Sequence, residues 1–403
     1  MKIGILCHSS TGGSSHIAIS LSGELARRGH EIHLFTYEPA FKTWRIAPEV
    51  AVHSVPLGIN GKRQPGSLYM DWPSPTFASM AQEIYRVVKE SGLDVVHFHY
   101  ALPFAFLAAE LKGTLGEGSP ILVGTLHGSD VSLFGRDPER RPMLCRALSR
   151  MDALTTVSSD HARLAATIFD LDKPPRVIPN FVDLNEFRPR SGTEADAKKD
   201  TVPHQREAGV AGKKAIVHIS NFRPVKDVCR VARIFLEIRK DIAAELWLVG
   251  QGEDMGRVCN FLSEKGADGD VRLFGFHQKV APILAAADLL LMASLEESFC
   301  LVALEAMACG VPVLSTRVGG IPEIVAHGKT GYLYRPGDHH AAAEFGLDLL
   351  TDPEKRKYMG MEGVKRARDF DINKVVTVYE RLYREQVGVS CGPPGYGRIY
   401  AAA

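Results

Sequence analysis

Residues 288–325 read DLLLMASLEESFCLVALEAMACGVPVLSTRVGGIPEIV, and the fold is decided by how this stretch is parsed. The apolar run from Asp288 to Ala293 reads as a buried strand that ends in a short polar loop. A helix is expected to begin near Ser298, and Gly310-Val311-Pro312 turns the chain into a second apolar strand. Strand, helix and strand in this order make one parallel crossover unit. Two of its glutamates are placed by the expected helix. Glu297 stands at the helix's N-terminal mouth, and Glu305 lies about two turns inside. A helix mouth behind a parallel strand attracts anions, because its unpaired N–H groups and dipole favour negative charge. Carboxylates there would not hold phosphate; they would accept hydrogen bonds from hydroxyls. An anion site flanked by two hydroxyl acceptors is the combination a nucleotide sugar needs.

Outward from this stretch the same alternation continues. In the first half KIGILCH, EIHLFTY, DVVHFHY, ILVGTLHG, ALTTVSS and RVIPN read as strands, with amphipathic helices such as HIAISLSGELARRG and FASMAQEIYRVVKES between them. The segment from Arg188 to Lys214, rich in charge, Gly and Pro, reads as a linker. A second series follows: AIVHISNF, AELWLVGQG, VRLFGF, LLLMAS, VPVLSTR and GYLYRPG, again with helices between. Pro353 to Tyr383 reads as helical throughout, and residues 389–403 as a loose tail. A chain of 403 residues is too long for one ordinary core. The pattern predicts two doubly wound parallel sheets whose carboxyl edges face one cleft.

Composition excludes more than it identifies. A net charge of +1 gives no bulk electrostatic reason to bind nucleic acid or a membrane surface. Seven scattered cysteines without a CxxC pair fit reduced thiols in a cytoplasm, and MKIGILCHSS enters a strand without a cleavable signal pattern. No apolar run is long enough to span a bilayer.

Four further constellations sit at strand ends. Gly12-Gly13-Ser14-Ser15 opens the first helix, where glycine lets a phosphate approach the backbone; a tight turn with a serine cap is the plainer alternative. Arg223 and Lys226 in SNFRPVKD follow the first strand of the second half. Cations there would stabilise the charge that grows on a departing diphosphate, and two solvated surface cations are the alternative. Thr125, His127 and Asp130 lie in TLHGSD, where the histidine could donate to a reacting sugar or be satisfied by the backbone of a turn. His97 and His99 alternate on one strand face, with no carboxylate or cysteine near them in sequence; a cleft wall or packed polar cluster is favoured over a metal site. Cys300 and Cys309 read as packing residues, and no nucleophile elbow is present.

Taken together, Gly12-Gly13, TLHGSD (125–130), SNFRPVK (220–226), ESFCLVALEAMACGVPV (297–313) and GGIPEIV (319–325) resemble the retaining glycosyltransferases of family four, from residue 1 to about 388. That resemblance implies the α/β GT-B fold: two Rossmann-like doubly wound parallel-sheet domains facing a central cleft. The first would span 1–187 and be completed by a C-terminal helix at 374–388, the second 215–373, with hinges near 187–190 and 370–373. HFHYALPFA, TLHGSDVSLFG and SNFRPVK resemble most the members that move N-acetylglucosamine from UDP-GlcNAc to L-malate in bacillithiol-type thiol synthesis.

The resemblance also implies roles. Glu297 would contact hydroxyls of the donor hexose and Glu305 those of the UDP ribose. Backbone N–H groups of Phe299, Cys300 and Leu301 would meet phosphate and sugar. Arg223 and Lys226 would hold the diphosphate, Gly13 would approach it, and His127 would stand beside the sugar. Ser14, Tyr100, Thr125 and Asn221 would form the acceptor group. No metal and no cofactor beyond the UDP-sugar co-substrate is implied; the partners are that donor and a small hydroxy acid, with no nucleic acid and no stable membrane insertion, and a homodimer is admitted. Cys300 stands where glycine is common, and the first loop, CHSSTGGSS, differs from that of the malate enzymes. Another small acceptor or a glycan, a nucleotide-sugar epimerase and a non-catalytic sensor remain alternatives. The absence of an extended basic amphipathic helix after Lys62 and Arg63 disfavours a lipid-linked acceptor.

Overall fold

The computed structural model describes residues 1–10, 12–38, 45–58, 72–190 and 212–388. Lys62, Arg63, most of the expected linker and the expected tail lie outside the described residues. The chain divides into two compact units, Met1–Asn180 with the helix Ile372–Val387, and Phe181–Asp371.

In the first unit, strands β1 (Lys2–Leu6), β2 (Glu31–Glu38), β3 (Ala51–Pro56), β4 (Val95–His99), β5 (Ile121–Leu126), β6 (Ala153–Thr156) and β7 (Arg176–Val177) form one parallel sheet in the order 3-2-1-4-5-6-7. The second unit pairs β8 (Lys214–Ile219), β9 (Ala244–Val249), β10 (Val271–Gly275), β11 (Leu289–Leu291), β12 (Val313–Thr316) and β13 (Gly331–Tyr334) in the order 10-9-8-11-12-13, again parallel. In each sheet the winding reverses beside the first strand. The carboxyl ends of β1 and β4, and of β8 and β11, therefore flank a topological switch point, where ligands of open parallel sheets bind.

The central strands are apolar on both faces because helices cover both. The helix Gly13–Arg27 buries Ile17, Ala18, Leu21 and Leu25 along one stripe. The helix Val228–Ile238 buries Val228, Val231, Ala232, Phe235 and Ile238, and Asp227 caps it by accepting from the Arg230 N–H. Leu122 and Phe98 centre the first core; Ile216, Leu246 and Leu289 centre the second.

Three local readings differ from the sequence expectation. Strand β3 was absent from it: AVHSVP is an edge strand on which only Val55 is buried, so it lacks an apolar run. The helix expected near Ser298 begins at Leu301, because Cys300 takes a left-handed conformation (φ 72°) that a helix cannot include. The run Pro353 to Tyr383 is interrupted. Helix Pro353–Ala367 gives way to a 3₁₀ turn, Arg368–Phe370, and an extended Asp371 before the last helix, Ile372–Val387. At that break the Val182 N–H donates to the Phe370 carbonyl (3.0 Å), so the chain joins the second unit at Phe181, ahead of Phe187.

The last helix belongs to the first unit, where it buries Tyr379 and Tyr383. The Arg28 guanidinium fastens it by donating to Glu380 (2.7 Å) and to the Asn373 carbonyl (2.8 Å). Among the described residues no helix is long and apolar enough to cross a membrane.

Candidate active site

The switch point of the second unit is built from two loops. After β8 the chain runs through Ser220, Asn221, Phe222 and Arg223 into a 3₁₀ turn, Pro224–Lys226. After β11 it runs from Met292 to Cys300 and enters the helix Leu301–Ala308. Lys226 joins them: its Nζ donates to Glu297 Oε1 at 2.6 Å, with the two side chains 21% and 10% exposed. Ser294 Oγ donates to the same oxygen at 2.9 Å.

The backbone fixes this geometry. The Leu295 N–H donates to the Val225 carbonyl (2.8 Å), Thr316 Oγ1 to the Ser294 carbonyl (2.6 Å) and the Gly320 N–H to the Glu297 carbonyl (3.0 Å). A Cβ on Gly319 would lie 1.8 Å from the Glu297 carbonyl oxygen, so only glycine admits this approach. Gly250, after β9, meets the Ser220 carbonyl in the same way.

Beneath the pair lies His218, which sequence reasoning passed over. Its Nδ1 donates to the Leu291 carbonyl (2.9 Å), tying β8 to β11, which leaves Nε2 to accept from Ser220 Oγ (2.8 Å). Burial pulls its pKa down to about 4, so it is a neutral strut. Its signal in the sequence was a lone polar residue one place before the strand end, in AIVHIS.

The other expected donor residues cluster here. Arg223 is half-buried two residues beyond Asn221, and Phe299, Cys300 and Leu301 form the helix mouth. Glu305 is buried inside the helix. The Asn221 Oδ1 is buried without a hydrogen-bond partner. Cys300 is also buried, which pushes its thiol pKa far up and withholds it as a nucleophile.

In the first unit, Gly12 and Gly13 open the first helix. Gly13 is exposed, with open space where a Cβ would stand, and Ser14 is half-buried beside it. Ser10 Oγ accepts from the Gly12 N–H (3.3 Å) and shares a hydrogen bond with Ser15 Oγ (2.8 Å). His8, also missed, shares a hydrogen bond with the Tyr37 hydroxyl and donates to the Leu102 carbonyl (2.7 Å), tying the end of β1 to the loop after β4.

Tyr100, at φ 89°, is nearly buried, and its hydroxyl meets Ser129 Oγ at 2.6 Å. Asp130 organises the loops after β4 and β5: its carboxylate accepts from the N–H groups of Ala101 (3.1 Å), His127 (3.2 Å) and Gly128 (2.7 Å). His127 is 8% exposed, and burial lowers its pKa.

Thr125 departs from its expected place in the acceptor group. It is 0% exposed, and its hydroxyl is committed to His97 Nε2 (2.7 Å) and Thr155 Oγ1 (2.7 Å) beneath the strand end. His97 and His99 belong to the same buried polar cluster, with His97 Nδ1 on the Tyr383 hydroxyl (2.7 Å). Among the described residues no group of three or more His, Cys, Asp or Glu side chains is arranged to hold a metal ion.

The switch point of the second unit pairs a lysine with a carboxylate just ahead of a helix mouth, the combination expected of a nucleotide-sugar site. The comparisons with known proteins agree. Residues 11–186 match the model described as Glycosyltransferase Family 4, and residues 203–366 match Glycosyl transferases group 1. The chain is 35% identical over 390 residues to N-acetyl-alpha-D-glucosaminyl L-malate synthase of Bacillus anthracis, covering 95% of this chain and 96% of that one. It is 30% identical to a GDP-mannose-dependent phosphatidylinositol monomannoside mannosyltransferase of Mycolicibacterium smegmatis, over 89% of this chain and 91% of that one. Among solved structures, sucrose-phosphate synthase of Thermosynechococcus elongatus matches with a TM-score of 0.78 at 21% identity, over 97% of this chain and 100% of that one. Anabaena HepE in complex with UDP-glucose matches with a TM-score of 0.78 at 20% identity, over 96% and 100%. The chain has the GT-B fold and is a glycosyltransferase. It belongs to glycosyltransferase family 4.

Proposed function

We propose that this enzyme moves N-acetylglucosamine from UDP-GlcNAc to the hydroxyl of L-malate with retention of anomeric configuration. Transfer from a nucleotide donor rests on one observation: the Lys226–Glu297 contact at the switch point of the second unit. The choice of sugar and acceptor is supported by the 35% identity to the malate synthase.

On this reading the second unit holds the donor. Glu305 accepts from the ribose hydroxyls and Glu297 from those of the hexose. Arg223, Lys226 and the N–H groups of Phe299, Cys300 and Leu301 face the diphosphate. As the bond from the sugar's C1 to the phosphate oxygen breaks, negative charge grows on the leaving UDP, and the two cations stabilise that growth. The malate hydroxyl oxygen forms its bond to C1 on the face that UDP leaves, and its proton passes to a phosphate oxygen. No enzyme nucleophile enters, and the buried Cys300 thiol supplies none. Gly13, Ser14, Tyr100 and His127 are the residues of the first unit assigned to phosphate, acceptor and sugar, and Asn221, with its unpartnered oxygen, joins the acceptor group. No cofactor other than the UDP-sugar enters, and the cytoplasm is the proposed compartment.

The test is to incubate the protein with several UDP-sugars and a panel of hydroxy acids and to read product masses. A GlcNAc-malate mass supports the proposal. A glycoside of another acceptor corrects the acceptor alone. An isomerised nucleotide sugar without glycoside overturns transfer.

A further inference from the structure

We infer that His99 is a positioning residue that makes His127 a hydrogen-bond donor, through a hydrogen bond from His99 Nδ1 to His127 Nε2. The functional part of this inference rests on the placement of His127 beside the donor sugar.

His99 closes β4, and His127 follows β5, its neighbour in the sheet. The two nitrogens lie 2.9 Å apart, with the rings 5.1 Å apart and tilted by 33°. A neutral imidazole carries one N–H and one lone pair, so one proton must lie between these two nitrogens. His99 is 0% exposed, and its Nε2 is buried without a hydrogen-bond partner.

That orphaned atom decides which ring owns the shared proton. Were it on His127, the proton of His99 would sit on Nε2 as a buried N–H with no acceptor, which folded proteins rarely tolerate. With the proton on His99 Nδ1, the orphan is a bare lone pair. The surroundings hold both rings neutral. Burial disfavours the charged form of His97, His99 and His127, and each is further disfavoured by another histidine of the cluster. His97 lies against His99 with ring centroids 4.3 Å apart and takes hydroxyl partners at both nitrogens; the Tyr379 ring lies 6.5 Å away. His161 also acts on His127, whose backbone N–H donates to the Asp130 carboxylate.

Because His127 Nε2 accepts, its own proton resides on Nδ1. Whatever Nδ1 meets, it meets as a donor. Directed at a hexose, such an N–H recognises a hydroxyl oxygen; the opposite tautomer would present a lone pair at the same point and demand the hydroxyl's proton instead. His99 thereby sets the polarity of a sugar contact without touching sugar.

The full chain, labelled with ¹⁵N-histidine, is examined by long-range ¹H–¹⁵N correlation, with signals assigned through His99→Asn and His127→Asn. Both rings are expected in the Nδ1–H form, and a parent protein with His127 protonated at Nε2 overturns the inference whatever the variants do. In turnover assays His99→Leu, which cannot donate, is expected to lower kcat by about 10- to 100-fold with little change in donor KM. His99→Asn, whose amide N–H stands near the place of Nδ1, is expected to recover most of the loss. If His127 is in the Nδ1–H form but neither His99→Leu nor His127→Ala alters turnover, the placement of His127 at the sugar fails and the functional part falls with it. If His127→Ala abolishes turnover while a folded His99→Leu keeps the parent rate, the positioning role alone is overturned.

Discussion

Lys226 and Glu297, 71 positions apart in the chain, meet at 2.6 Å and pin the loop after β8 to the loop after β11. The contact gives a cation and a hydroxyl acceptor one shared address. On the proposed reading the donor exchanges this internal pair for its own groups, the ammonium turning to diphosphate and the carboxylate to sugar. Lys226→Ala is therefore expected to lower kcat by about 100-fold or more, with a smaller loss of UDP affinity, because the charge it meets grows in the transition state. Initial rates beside calorimetric UDP titration check this; a rise in donor KM at unchanged kcat contradicts it.

Glu305 is buried inside the helix Leu301–Ala308, where its carboxylate is assigned to the ribose. Glu305→Ala is expected to weaken UDP binding by about 1–3 kcal/mol. Calorimetry with UDP alone reads the effect, and unchanged affinity removes Glu305 from the donor site.

The place of Thr125 in the core departs from the acceptor role that the family resemblance implied. Thr125→Val breaks hydrogen bonds to His97 and Thr155 and is expected to cost about 1–3 kcal/mol of stability. Acceptor KM should move no more than donor KM. A selective loss of acceptor use in a variant of parental stability restores the residue to the acceptor group.

Cys300 holds φ 72° with a Cβ, a conformation that costs most residues about 1–2 kcal/mol. Cys300→Gly removes that cost and adds glycine's larger entropy in the unfolded chain, so a net gain of up to about 1 kcal/mol is expected. Urea midpoints decide the matter, and a lower midpoint shows that packing of the thiol outweighs the backbone.

Acid should destabilise the enzyme earlier than its carboxylates alone require. Burial lowers the pKa of His8 and His218 to about 4 and of His97 to about 3, against about 6.5 in an unfolded chain. Between these values the unfolded state binds more protons, so stability rises with pH and is lost as pH falls from about 6.5 towards 4. Each imidazole contributes on the order of a few kcal/mol across that window. Urea midpoints at pH 7 and pH 5 should differ clearly, and equal midpoints would mean that the histidines are not buried as described.

The sequence disclosed the second unit almost completely. All six of its strands carry dense apolar runs, and the loop motifs stand immediately behind β8 and β11, so chain order alone brought Arg223, Lys226, Glu297 and Glu305 to one sheet edge. Strand β3 escaped notice because an edge strand with one buried side chain has no apolar period to detect. Thr125 was misplaced for a related reason. A strand-end threonine looks the same in sequence whether its hydroxyl faces ligand or a buried histidine, and the deciding partners, Thr155 and the last helix, are far away in the chain. His8 and His218 had no local signal beyond a polar residue among apolar ones; their roles exist only once neighbouring strands supply the second atom.

The last helix carries a consequence for biosynthesis. Residues 181–371 are contiguous and can leave the ribosome as a complete unit, whereas residues 1–180 must wait for a segment translated after all of them. Until Tyr383 arrives, the imidazole of His97 lacks one of its two hydroxyl partners. The amino-terminal portion is thus the later of the two to mature although it is made first. Expressed separately, 181–371 should yield a cooperatively melting protein and 1–180 should not, unless the missing helix is supplied as a peptide.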